Sequence, residues 1–163
     1  MAKPSVQLID PKQFGRKQLS HPVFDADSVA RAERALTALR GSFQDWLEAD
    51  VALLQAARIA GQERGWNDNT FDALLNAAHD LKGLGATYEY PLATKMAASL
   101  CRLLEAEEGR TAMRKAPDLL IAHVDAIRAA ARDHIKSTES PVGRALLQAL
   151  VAEVDALGIG AES

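Results

Sequence analysis

Glycine, proline or asparagine interrupts this chain roughly every twenty residues, and between the interruptions apolar side chains repeat at three- and four-residue intervals. Runs of that period wind into helices that bury one stripe, while breaks this frequent weaken any reading as a long coiled coil. The composition agrees. Aromatic residues make up only 5% of a chain rich in alanine, a balance that favours close helix packing over sheets. With 163 residues and 48% apolar content there is enough material for one domain with a single core. The expected class is all-α.

Asp27 or Ser28 can cap a first helix carrying Val29, Ala32, Leu36 and Leu39 on one stripe, and Gly41-Ser42 offers a break or kink. A second helix follows with Phe43, Leu47, Val51, Leu54 and Ala57, ending near Gly61 to Gly65. The third is expected from Asn69 or Thr70 to about Tyr88. Pro91 suits the first turn of a fourth, whose apolar face is Ala93, Met96, Ala97, Leu100, Leu103 and Leu104. The stretch "EEGRTAMRKAP" reads as a polar connector to a fifth helix marked by Leu120, Val124, Ile127 and Ala131. Ser140-Pro141 starts a sixth, with Leu146, Leu147, Leu150, Val151, Val154 and Leu157 buried. Short connectors imply an up-down-up-down four-helix bundle with additional N-terminal and C-terminal helices. Residues 1–25 read as an extended or mobile arm, 26–158 as the helical domain and 159–163 as a tail.

A net charge of −3 supplies no basic field for nucleic acid. No stretch approaches the roughly 18 apolar residues of a membrane span, and the N-terminus lacks the apolar segment of a secretory signal. One cysteine, Cys101, excludes an internal disulfide and a multi-cysteine metal site, which fits a cytoplasmic setting. A redox role for Cys101 is weaker than plain packing. His79, Asp80 and Glu105 are not spaced as metal ligands on one helix face, so no metal is expected in this chain.

The chemistry concentrates in "LLNAAHDLKGLGATYEYP", Leu74 to Pro91. At about 100° per residue, Leu74, Ala78, Leu81, Gly85 and Tyr88 cluster on one side with Phe71 close by. That is the buried face. His79 lies roughly 140° away with Asp72, Asn76, Gly83 and Ala86, and Lys82 is on the border. His79 should therefore face solvent. Gly83, one turn on, costs about 1 kcal/mol relative to alanine and has no packing role there, so it reads as clearance beside the imidazole. Lys82 can bring an ammonium to an anion held between them. Gly85 instead permits close helix packing. His21, His123 and His134 are read as structural.

These residues carry a resemblance: "AHDLKG", Ala78 to Gly83, is similar to the signature of histidine phosphotransfer (HPt) domains, and "GATYEYPLATKMAASLCRLLE" continues it into the fourth helix. The sequence resembles that family well over about residues 68–105, and by architecture over a four-helix core of about 42–138. The resemblance implies that His79 accepts a phosphoryl group from an aspartate on a response-regulator receiver domain and passes it to another receiver. By the same resemblance Lys82 meets the phosphoryl oxygens and Gly83 admits the partner. Leu75, Asn76, Ala86 and Cys101 are the expected partner contacts, although Leu75 could equally be an ordinary surface leucine. Two positions depart from the family pattern. Glu89 stands near the turn where many relatives have glycine, and Cys101 stands where a glutamine helps hold the imidazole.

No glycine-rich ATP loop accompanies the motif, so the chain is expected to carry phosphate without kinase activity of its own. The Mg²⁺ of the transfer is expected in the partner receiver. Receiver domains are the expected partners, with a hybrid histidine kinase as a further candidate, and the chain is expected to be a monomer. The competing readings are a non-phosphorylated helical adaptor that binds a receiver or kinase, and a dimerisation bundle related to kinase phosphoacceptor domains.

Overall fold

Alanine, leucine and arginine dominate the runs between breaks, and in the computed structural model, which describes residues 25–160, those runs are six helices with no strand among the described residues. They are α1 (Ala26–Arg64), α2 (Asp68–Leu84), α3 (Pro91–Glu105), α4 (Glu107–Lys115), α5 (Asp118–Arg132) and α6 (Pro141–Ala156). The expected arm of residues 1–25 lies outside the described residues except for Asp25, and of the expected tail only Ile159 and Gly160 are described. Contacts divide the described residues into two compact units, one up to Leu39 and one from Arg40 onward.

The first two expected helices are one. Gly41-Ser42 does not break α1, because a single interior glycine costs about 1 kcal/mol and strong helix formers on both sides outweigh it. The helix is capped by Asp25 rather than Asp27 or Ser28: the Ser28 amide donates to Asp25 Oδ1 at 2.7 Å, and this bond holds the Asp25 carboxyl below its usual range. In the first unit the stripe of Val29, Leu36 and Leu39 is exposed. In the second, Leu47, Val51 and Leu54 enter the core.

α2 starts at Asp68, slightly earlier than expected, because Asn67 and Thr70 form a reciprocal cap. The Thr70 amide donates to Asn67 Oδ1 at 3.1 Å, and the Asn67 amide donates to Thr70 Oγ1 at 2.9 Å. The helix stops at Leu84 rather than Tyr88, and the chain turns through Glu89 at φ 64°. Pro91 sits in the first turn of α3 as expected. α3 is apolar on nearly every side, with Leu92, Met96, Leu100, Leu103 and Leu104 wholly buried, and it packs on α2, α4, α5 and α6.

The stretch read as a polar connector contains α4. Its buried positions are only Gly109 and Met113, too few to register as a stripe, and Gly109 is required because a Cβ there would collide with the Leu103 carbonyl. Glu107 and Glu108 in its first turn and Arg114 and Lys115 in its last oppose the helix dipole favourably. Ser140 caps α6 through the Gly143 amide at 3.3 Å, as the Ser140-Pro141 start implies.

Candidate functional site

The buried face of α2 is Phe71, Leu74, Ala78 and Leu81, with Gly85 buried just beyond its end. Tyr88 is half-buried. The opposite face carries His79, with a side chain 45% exposed, together with exposed Asp72, Asn76 and Gly83 and, past the helix end, Ala86. Lys82 is half-buried on the border, and so is Leu75. The two glycines have opposite surroundings. A Cβ on Gly83 would meet no atom within 4 Å, whereas one on Gly85 would lie 2.5 Å from Thr94 Oγ1 and 2.9 Å from the Leu81 carbonyl oxygen. Gly83 leaves open space beside the imidazole, and Gly85 lets α2 and α3 approach.

Cys101 requires a correction. At 1% exposure it is part of the core on α3 and cannot touch a docking partner, so it leaves the set of expected contacts. Among the described residues, Glu105, one helical turn further along α3, reaches His79. Its Oε1 lies 2.8 Å from His79 Nε2, with the carboxylate side chain 34% exposed. In the sequence Glu105 stands out only as an ill-spaced metal ligand; the available signal is its position four residues beyond Cys101, on the same side of the helix.

Electrostatics near this surface include a second carboxylate. Burial raises the Asp50 carboxyl above its usual range, Asp80 adds to the rise, and a hydrogen bond from Tyr88 offsets part of it. Asp50 Oδ2 is buried without a hydrogen-bond partner among the described residues. No three histidine, cysteine, aspartate or glutamate side chains among the described residues come together as a metal site.

Two other histidines have structural surroundings. His123 is fully buried between α3 and α5: Nδ1–H donates to the Leu119 carbonyl at 2.8 Å, so Nε2 accepts from the Ser99 hydroxyl at 2.9 Å. Burial pushes its pKa down to about 4. His134, at φ 55°, lies with Nδ1 3.1 Å from the Tyr90 hydroxyl, which donates to Gln44 Oε1 at 2.7 Å.

No helix of the described residues is long and apolar enough to cross a membrane. No curated protein and no solved structure matches the chain. The sequence does match the family described as "Hpt domain" over residues 24–130, which takes in α1 to α4, most of α5 and the whole of the His79 surface. With roughly two-thirds of its length matched, the chain belongs to the Hpt domain family, whose members carry phosphoryl groups in two-component signalling and are not themselves kinases.

Proposed function

We propose that this chain is a phosphorelay intermediate in which His79 is the phosphoacceptor. The observation that carries the reading is an accessible imidazole on the outer face of α2 with open space at Gly83, inside the span matched by the family. A receiver domain docks over this face, with Leu75, Asn76 and Ala86 around the ring. In the transfer, an imidazole nitrogen lone pair attacks phosphorus, the N–P bond forms, and the aspartyl O–P bond breaks to release the receiver's carboxylate. The loose transition state asks for in-line placement and neutralised charge more than for proton transfer. Lys82 supplies one positive charge from this chain; the receiver supplies Mg²⁺ and its acidic pocket. The reverse step onto another receiver completes the relay.

The reading takes the second half of α1 with α2, α3 and α5 as an up-down-up-down four-helix core, α6 as an addition and the chain as a monomer. Its test is incubation of the purified protein with a panel of phosphorylated receiver domains and detection of acid-labile, base-stable phosphate. Label on the wild type and none on His79→Ala, with helical circular dichroism unchanged in both, is the expected result. Binding without label from any receiver would replace the relay with an adaptor that uses the same surface.

A further inference from the structure

Nε2 of His79 lies 2.8 Å from a carboxylate oxygen, and a carboxylate offers only lone pairs, so in this state Nε2 carries a hydrogen. Its lone pair is then not available to an electrophile. Nδ1 is bonded to the same ring carbon that carries Cβ and is crowded by its own side chain. Nε2, at the far end of the ring, is the nitrogen that a bulky aspartyl phosphate reaches most easily. The acceptor atom and the Glu105 contact thus coincide. Arg102, three residues before Glu105 on α3, directs its guanidinium to Asp155 Oδ1 at 2.9 Å and to the Ile159 carbonyl at 3.2 Å.

We propose that Glu105 is a positioning residue that sets how much phosphate His79 retains, an inference that rests on the phosphoacceptor reading above. In the unloaded chain its carboxylate holds the ring through Nε2–H. Loading requires Nε2 to give its hydrogen to Glu105 or to water while Nδ1 takes one from solvent, and the Glu105 side chain to turn aside. The freed lone pair attacks phosphorus, and the electrons of the broken O–P bond stay with the receiver's aspartate. The phosphoryl group then occupies the space beside Nε2 that the carboxylate held. Two negative groups face each other there, with Lys82 offsetting part of the repulsion. Glu105 therefore stabilises the empty ring and disfavours the loaded one, which tilts the relay toward handing phosphate on.

The test compares wild type, Glu105→Gln and Glu105→Ala against the receiver that labels His79 most strongly. Label is partitioned to equilibrium between the two proteins, and the ring nitrogens of the unloaded chains are followed by ¹⁵N NMR. Glu105→Gln keeps the side chain's size and removes its charge, and it should hold about three- to tenfold more phosphate relative to the receiver. The NMR spectrum should show hydrogen on Nε2 in the wild type and a shift of the tautomer population toward Nδ1–H in Glu105→Ala. A labelled wild type with equal or lower retention in Glu105→Gln overturns the role of Glu105 alone. A wild type that no receiver labels overturns the phosphoacceptor reading and this inference with it.

Discussion

His79 and His123 are both helical histidines with a ring nitrogen less than 3 Å from a polar partner, yet their surroundings assign them opposite fates. His123 has no exposed surface and both nitrogens are committed, one to a backbone carbonyl and one to Ser99. It can neither take a proton cheaply nor meet a partner, and it acts as a polar spacer between α3 and α5. His79 stands on the outer face of α2 beside the open space at Gly83, and among the described residues its ring meets Glu105, a side chain that can rotate away. If His79 is the acceptor, as proposed, the contrast lies less in the imidazole than in whether its neighbours can be exchanged for a partner's atoms.

The largest difference between the two sites should appear on removing the ring at the exposed one. His79→Ala is expected to lose all transfer with the fold intact, measured as label and as circular dichroism; a folded variant that still took label would place the acceptor elsewhere. At the buried site the expected effect is on stability and depends on pH. An unfolded histidine titrates near 6.5, while His123 in the fold is held down to about 4. Between those values the unfolded chain binds the extra proton. The contribution is therefore complete above about pH 6.5 and is lost as the pH falls toward 4, by about 3 kcal/mol in all. Urea titrations across that range should show the loss in the wild type and a shallower dependence in His123→Leu. Identical slopes would mean that other groups govern the acid limb.

Two smaller perturbations sharpen the account of the exposed site. Gly83→Gln should lower transfer about 100-fold by filling the approach to the ring, with unfolding temperature unchanged or slightly raised because glutamine favours a helix over glycine. Normal transfer in that variant would remove the clearance argument. Lys82→Ala should slow transfer about tenfold, equivalent to about 1.4 kcal/mol, without abolishing it. An unchanged rate in stopped-flow transfer assays would mark Lys82 as a solvated border residue.

The face of α2 was legible because 3.6-residue periodicity is a local property: Leu74, Ala78 and Leu81 announce the core, and His79 and Gly83 are placed outside by subtraction. The contrast between Gly83 and Gly85 followed from the same wheel. Local punctuation was less dependable. Gly41 could not stop a helix with strong formers such as Ala38, Leu39 and Arg40 leading into it, and Glu89 adopts a left-handed conformation where glycine would do so without strain. α4 was hidden because only Gly109 and Met113 of it are buried and part of its anchorage is distant in sequence: Arg110 donates to Asp72 of α2 at 2.7 Å. Glu105 was hidden for the same reason, since its meeting with His79 depends on the register of α3 against α2, which no single helix pattern encodes.

That register is secured at both ends. Near the C-terminal end of α2, Gly85 lies against Thr94; at its start, Arg110 ties Asp68 and Asp72 to the last turn of α3 while its guanidinium and that of Arg114 lie over the Phe71 ring, each 5.5 Å from its centre. The strip between, which bears His79, is thus shaped before any partner arrives. On the proposed reading, a receiver that lands on it gives up little conformational entropy on this side of the interface. Modest contact area can then suffice for recognition, and dissociation can stay fast. Brief, repeatable encounters are what a carrier needs if one molecule is to visit a donor and then an acceptor.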